Sequence, residues 1–307
     1  MTAALSHFRF EFRAMAGDQE IQLFADSAAT ARSAADAAIA DVARIEAKYS
    51  RYRDDSVTTR INRAAGSTPI AIDVETHALL AYADRCFRLS EGRFDITSGV
   101  LRRAWDFGVR PSRVPSAEAV GAARSLIGWS RVEWDADTIW LPQPGMEIDL
   151  GGIGKEYAAD RAATICIERG VVHALVNLGG DVRAVGGQPD GSQWRIGIRD
   201  PRAPERAIAG LNVVDGAVAT SGDYERYFEV DGRRYCHILD PRSGMPVEHW
   251  RSVSVVAPLC VVAGSCATIA MLLEERALAF LDSQQVDYLA IDCDGNSYRP
   301  SATAAST

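Results

Sequence analysis

The chain lacks long apolar runs and long basic runs. None of its apolar stretches approaches the roughly 20 residues that a membrane-spanning helix needs, although 47% of the 307 residues are hydrophobic. The net charge is -8, and basic side chains are not interleaved with aromatic ones as in nucleic-acid-binding surfaces. We therefore expect no stable membrane span and no nucleic-acid partner.

Cysteine is scarce and follows no pattern. The six cysteines are scattered without a Cys-x-x-Cys pair, which argues against a zinc site and is typical of buried thiols in a cytosolic protein. Residues 1–11 contain no basic region followed by an apolar region, and no early cysteine that would carry a lipid. We expect a cytoplasmic protein.

Hydrophobic periodicity predicts both strands and helices. Residues 7–25 alternate apolar and polar side chains, which indicates two antiparallel strands joined near residues 17–18. Residues 28–48 are rich in alanine and place an apolar stripe on one helical face. Further helices are expected over residues 76–89 and 265–282.

The remaining segments complete an α+β pattern. Short apolar runs predict further strands, and Asp231-Gly232 is a strong hairpin signal. A loop is expected over 110–118, which contains two prolines. Because no change of composition marks a linker, we predict one domain over residues 1–295, with mixed or antiparallel sheets and packed helices. Residues 296–307, which are rich in small polar side chains, are predicted to be a disordered tail.

A glycine loop is the strongest local signal. The apolar run 146–150 stops at Gly151, Gly152 and Gly154, and a helical pattern begins at Lys155. A strand, a glycine loop and a helix amino terminus together form a geometry that receives phosphate groups. The spacing matches neither the Walker A nor the Rossmann pattern. The loop alone is equally compatible with an ordinary tight turn.

Two other segments carry candidate chemistry. His237 stands three residues before Asp240, which would suit a general base or a phosphate donor. The alternative is a turn in which Asp240 caps main-chain amides and His237 merely packs. Arg93, Phe94 and Asp95 offer a cation, a ring and a carboxylate for a ligand with a ring system. The alternative is a solvated ion pair at a strand edge.

Taken together, these segments resemble the FAD:protein FMN transferase family, the ApbE-type flavin transferases. The matching segments, in order, are residues 14–17, 49–52, 61–62, 92–95, 105–108, 149–155, 177–181, 219–222 and 237–244. The resemblance extends from about residue 8 to residue 290 and implies an ApbE-like (T-fold-like) α+β domain.

The resemblance implies a reaction and a site. Members of the family cleave the pyrophosphate of FAD and transfer FMN to a Thr or Ser hydroxyl of a target flavoprotein, releasing AMP, with Mg²⁺ required. Carried over by position, the flavin contacts are Met15, Tyr52, Arg93, Phe94, Asp95, Asp149, Lys155 and Ile238. His237 is the catalytic residue beside the phosphates, and Mg²⁺ is held by Thr268 and a main-chain carbonyl near Gly152.

Two positions depart from the family pattern. The metal motif Ala-Asp-Ala-Leu-Ala-Thr corresponds to residues 263–268, where Gly264 replaces the Asp and Thr268 remains. We expect weaker Mg²⁺ binding and predict that Gly264→Asp lowers the Mg²⁺ requirement. Glu156 stands where the family often has Gly; the first helical turn tolerates a carboxylate, which repels pyrophosphate if it points inward. Two alternative functions stay open, an FAD pyrophosphatase and an FAD-binding protein with impaired catalysis.

Overall fold

The computed structural model describes residues 4–108 and 113–300. The α-helices are α1 (Ala28–Tyr49), α2 (Val57–Arg63), α3 (Val74–Leu89), α4 (Ala117–Arg124), α5 (Gly154–Glu168), α6 (Cys260–Leu273) and α7 (Ala277–Ser283). Short 3-10 helices span Ile96–Arg103, Trp129–Arg131 and Glu274–Arg276. The strands are β1 (Ser6–Ala14), β2 (Gly17–Ala25), β3 (Ile70–Ala71), β4 (Glu133–Trp134), β5 (Thr138–Trp140), β6 (Ala174–Leu178), β7 (Asp181–Val185), β8 (Trp194–Asp200), β9 (Ala203–Val213), β10 (Gly216–Gly222), β11 (Tyr227–Val230), β12 (Arg233–Cys236), β13 (Trp250–Ala257), β14 (Asp287–Asp292) and β15 (Ser297–Tyr298).

A single large sheet organises the described part of the chain. It has eight strands in the order β1-β2-β6-β7-β10-β13-β14-β15, and every neighbouring pair is antiparallel. Helices α1, α5 and α6 pack on one face. The two-stranded ribbon β8–β9 contributes apolar side chains to a smaller cluster with Val182, Ala184 and Val218 of the sheet. The predicted α+β class is confirmed.

Small side chains let the helical layer pack tightly. The buried alanines are Ala31, Ala34, Ala35 and Ala38 of α1, and Ala158, Ala159, Ala162 and Ala163 of α5. Because alanine has the highest helix propensity and the smallest chiral side chain, these helices form readily and their backbones approach closely. The position of α5 against α1 and the sheet fixes the place of the glycine loop at its amino end.

The hairpin β1–β2 confirms the predicted strand pair and moves its turn. Ala14 pairs with Gly17, so the turn consists of Met15 and Ala16, with φ angles of 51° and 65°. Positive φ at both turn residues matches the twist of a tight antiparallel hairpin, although non-glycine residues adopt it at a cost.

Two predictions at the carboxyl end need correction. The helix predicted over 265–282 is two helices, because Glu274 turns to φ 51° and its carbonyl accepts a hydrogen bond from the Trp250 indole (2.8 Å). The tail predicted to be disordered from residue 296 begins with the strand β15, which pairs with β14. The Asn296 amide and the Tyr298 hydroxyl both donate to Asp292, which holds this strand in place. Residues 301–307 lie outside the described residues.

The loop predicted over 110–118 is only partly visible. Residues 109–112 lie outside the described residues, and α4 begins directly after Ser116, whose hydroxyl accepts a hydrogen bond from the Ala119 amide. In the parts of the chain that the structure describes, no helix combines the length and apolar character needed to cross a membrane.

Candidate functional site

The glycine loop lies between an apolar run and the amino end of α5. The Gly154 amide donates to the Leu150 carbonyl (2.8 Å), and the Gly151 amide donates to Asp149 Oδ1 (2.9 Å). The residue before α5, Ile153, offers no capping side chain. The positive end of this helix dipole therefore lacks a carboxylate or hydroxyl cap of its own at the predicted phosphate position.

Phe94 packs against the glycine loop. Its ring is buried, and a Cβ built on Gly152 would lie 3.3 Å from Phe94 Cζ. A side chain at residue 152 would press on the ring, so glycine keeps the loop close to it. The structure thus brings Phe94 and Gly152, which were predicted separately, into one place.

Asp149 connects the loop to an exposed aromatic ring. Its Oδ2 pairs with Arg51 Nη1 (3.1 Å) and with Arg102 Nη1 (2.9 Å). Arg102 also donates to the Tyr52 hydroxyl (3.3 Å). The Tyr52 side chain is 77% exposed, which leaves its ring open to stack on a planar ligand.

The segment around Arg93 is joined to the segment around Asp240. Arg93 Nη1 donates to Asp240 Oδ2 (2.8 Å), and both side chains are largely buried. The pair is therefore not the solvated Arg–Asp pair at a strand edge that the sequence left open. This ion pair joins the segment 92–95 to the segment 237–244, and it orients the guanidinium of Arg93.

Asp95 has a different environment from the other predicted flavin contacts. It is buried, and its Oδ1 accepts hydrogen bonds from the amide (2.7 Å) and hydroxyl (2.6 Å) of Thr97. Its Oδ2 accepts from the Trp129 amide (3.1 Å). Burial raises the pKa of Asp95, while these hydrogen bonds oppose the shift. The carboxylate holds the turn that presents Arg93 and Phe94, and direct contact with a flavin stays a prediction.

Lys155 forms an ion pair that the sequence analysis did not single out. Its Nζ lies 2.6 Å from Asp181 Oδ2 and 3.4 Å from the Gly179 carbonyl oxygen. Burial lowers the pKa of Lys155, but the charges of Asp181 and Glu156 outweigh it and leave the pKa raised. The segment 177–181 carried the only sequence signal for Asp181, as one of the motifs shared with the family.

The Met15 turn lies at the same end of the sheet. Gln19 pairs with Leu178 in the register of β2 and β6, so the hairpin tip extends past Gly179. Gln19 donates to the Ala14 carbonyl oxygen (2.7 Å), and its Oε1 lies 3.9 Å from a Cβ built on Gly179. The hairpin tip with Met15 therefore lies at the same end of the sheet as Gly179, which Lys155 contacts, and contact of Met15 with a flavin stays a prediction.

His237 follows β12 and is largely removed from solvent. Its main-chain amide donates to the Arg226 carbonyl (2.9 Å), and its buried Nδ1 has no hydrogen-bond partner. Burial lowers the pKa of His237 to about 4, and the charges of Arg226 and Arg102 add to the shift. The imidazole is therefore neutral at pH 7. The next residue, Ile238, is buried and its carbonyl accepts from the Val247 amide (3.0 Å).

The two departures from the family pattern meet between α5 and α6. Glu156 is 7% exposed, and a Cβ built on Gly264 would lie 2.6 Å from its Cγ and 2.7 Å from its Oε1. Burial, and then the Asp181 carboxylate, raise the pKa of Glu156. The space of a side chain at position 264 is thus filled by Glu156, and the predicted benefit of Gly264→Asp needs correction, because the added side chain would collide with it. One turn along α6, the Thr268 hydroxyl lies 2.8 Å from the Ser221 hydroxyl.

Comparisons with known proteins identify the family of this chain. The model of the ApbE family matches residues 15–290. An FAD:protein FMN transferase from Vibrio cholerae is 36% identical over 249 residues, which cover 80% of this chain and 75% of that protein. The ApbE protein of Thermotoga maritima has a solved structure with a TM-score of 0.86 and 32% identity, covering 96% of this chain and 97% of that one. The flavin transferase ApbE from Vibrio cholerae has a TM-score of 0.84 and 30% identity, covering 97% of this chain and 98% of that one. The chain belongs to the ApbE family.

Proposed function

We propose that this protein transfers FMN from FAD to a Thr or Ser hydroxyl of an acceptor flavoprotein and releases AMP. The observation that carries the proposal is the family match over residues 15–290, which includes every segment that forms the site. It is supported by a relative of 36% identity whose name is FAD:protein FMN transferase.

The substrate FAD fits the groups that the site assembles. The exposed ring of Tyr52 offers a stacking face for the flavin, and the Arg93 guanidinium, held by Asp240, offers donors to its polar edge. The amino end of α5 and the Lys155 ammonium face the pyrophosphate charge. Phe94 packs against Gly152 and so helps to fix the shape of the glycine loop.

His237 supplies the proton acceptor of the reaction. The hydroxyl oxygen of the acceptor protein forms a bond to the FMN phosphorus, and the bond from that phosphorus to the bridging oxygen breaks. AMP leaves with the bridging oxygen, and the hydroxyl proton passes to the imidazole. A neutral imidazole can accept this proton at neutral pH.

The donors beside the glycine loop fit a hard divalent cation. Thr268 contributes a hydroxyl, the loop near Gly152 contributes main-chain carbonyls, and Glu156 brings a buried carboxylate oxygen without a hydrogen-bond partner. In the described parts of the chain, no group of three or more His, Cys, Asp or Glu side chains forms a ready metal cage. This sparse oxygen set matches Mg²⁺, which commonly uses one or two carboxylates and completes its shell with waters and substrate phosphates. When bound, Mg²⁺ neutralises pyrophosphate charge.

The test is an incubation with FAD, Mg²⁺ and an acceptor flavoprotein that carries a Thr or Ser flavinylation site. Covalent flavin fluorescence of the acceptor in a denaturing gel, with release of AMP, supports the proposal. AMP and FMN without labelling indicate a pyrophosphatase, and FAD binding without AMP indicates a binding protein that lacks catalysis. The variant His237→Gln serves as the control that binds FAD without labelling the acceptor. The cytoplasmic location expected from the sequence is also part of this proposal, and fractionation of cells expressing the full-length protein tests it.

A further inference from the structure

We propose that Glu156 of α5 is the carboxylate ligand of the divalent cation, in place of the Asp that the family motif puts at position 264 of α6. The inference rests on the proposed use of Mg²⁺. It assigns to Glu156 a role that the family pattern gives to no residue of α5. In this proposal the carboxylate comes from Glu156 of α5 instead of from position 264 of α6, and it serves the same place between the two helices.

The first argument is the space beside Gly264. A Cβ at position 264 would come within 2.6 Å of Glu156 Cγ and 2.7 Å of Glu156 Oε1. Real Cβ atoms do not approach so closely, so a side chain at position 264 and the present Glu156 side chain exclude each other. Glycine at 264 is therefore what admits the glutamate, and the two departures from the family pattern are one exchange.

The second argument is the register of the two helices. The amides of Cys260 and Val261 donate to Asp160 (2.8 and 2.9 Å), and Glu156 lies against Gly264. Residue 160 thus faces residue 260, and residue 156 faces residue 264. Moving back one turn along α5 corresponds to moving forward one turn along α6, so the two helices run antiparallel. Thr268 lies one further turn along α6, on the same side of that helix as Gly264. A carboxylate on either helix at this step therefore enters the space between α5 and α6.

The third argument is the buried Glu156 oxygen that has no hydrogen-bond partner. The side chain is 7% exposed, and its Oε2 has no hydrogen-bond partner. The neighbouring Lys155 is paired with Asp181 at 2.6 Å, so its charge is already shared. A buried carboxylate oxygen without a partner is costly, and a bound cation would supply the missing partner.

The experiment measures Mn²⁺ binding to the FAD-loaded protein by the loss of the free Mn²⁺ signal in electron paramagnetic resonance, without an acceptor. Glu156→Gln keeps the size of the side chain and should weaken Mn²⁺ binding by at least about 10-fold, because a charged ligand is lost. Glu168→Gln, at the exposed end of the same helix, is the matched control and should leave binding unchanged. FAD affinity, measured by flavin fluorescence, and circular dichroism establish that each variant is folded.

A reciprocal exchange makes the test specific to position. Gly264→Asp alone should weaken Mn²⁺ binding or destabilise the fold, because the new side chain collides with Glu156. The double variant E156G/G264D should restore binding to within about 3-fold of the unaltered protein, a difference below about 1 kcal/mol. The inference is overturned if Glu156→Gln binds Mn²⁺ as the unaltered protein does, or if the double variant binds no better than Glu156→Gly. If the unaltered protein binds no Mn²⁺, both the proposed use of a metal and this inference are overturned. If Glu156→Gln still transfers flavin and binds Mn²⁺ normally, only the inference is overturned.

Discussion

Asp160 of α5 caps the start of α6, and its removal should cost more stability than a single surface substitution. The amides of Cys260 and Val261 donate to its two oxygens at 2.8 and 2.9 Å. Hydrogen bonds to a charged acceptor contribute about 1.5–3 kcal/mol each. Water can reach the half-buried Val261 after the change, which recovers part of one bond. We therefore expect Asp160→Ala to lower the free energy of unfolding by about 2–4 kcal/mol.

Urea denaturation at neutral pH, followed by circular dichroism, measures this loss. The midpoint should fall while the slope with denaturant stays the same, because the surface exposed on unfolding is unchanged. Asp160→Asn keeps an amide oxygen and should lose less. Asp36→Ala removes an exposed carboxylate with an i,i+4 partner, Arg32, at 3.6 Å, and should change stability by less than about 0.5 kcal/mol. If Asp160→Ala is no less stable than this control, α6 does not depend on the cap, and the argument from the helix register loses its support.

Three further predictions concern the site. Arg93→Ala removes the partner of Asp240 and the donors facing FAD, and should weaken FAD binding by roughly 10- to 100-fold in a flavin fluorescence titration; unchanged affinity would contradict the assigned contact. The pKa of His237 is lowered to about 4. When the pH is lowered through 6.5, the ordinary pKa of histidine, the rate of flavin transfer should therefore not fall. As the pH falls, His237 is protonated in the unfolded chain near pH 6.5 and in the folded protein only near pH 4. The contribution of the neutral His237 to the free energy of unfolding should therefore be present above about pH 6.5 and be lost towards pH 4. Urea midpoints of the unaltered protein and of His237→Gln, compared across this range, measure the loss. Tyr52→Ala should leave stability within about 0.5 kcal/mol, since the side chain is 77% exposed, but should weaken FAD binding by up to about 10-fold through lost stacking.

Local patterns in the sequence predicted much of the fold and part of the site. Strand alternation predicted the β1–β2 hairpin, helical periodicity predicted α1 and α5, and the glycines predicted the loop before α5. These features depend on neighbouring residues, since side-chain periodicity and glycine's backbone freedom act over a few positions. The turn at Met15 and the break at Glu274 were missed, because both have positive φ angles at residues that do not prefer them.

The order of weak motifs along the chain also identified the family, which the comparisons confirm. That order indicates which segments meet, but it does not give the partner of each side chain. The sequence left open an ion pair between Arg93 and Asp95, but Arg93 binds Asp240, which lies 147 positions away. Asp95 instead accepts hydrogen bonds that hold its own turn. Tertiary packing determines which residues so far apart in the chain become partners, and a local sequence pattern contains no information about that packing.

Positions 156 and 264 show most clearly what the sequence and the tertiary structure each decide. The sequence by itself determined that a glycine stands at 264 and a glutamate at 156, and it presented them as two unrelated departures from a pattern. Only the tertiary structure decided that they share one space, because the Asp160 cap sets α5 and α6 in an antiparallel register that brings Glu156 against Gly264. Helix packing, which joins residues more than a hundred positions apart, therefore puts a buried carboxylate beside the glycine that stands in place of the family's Asp.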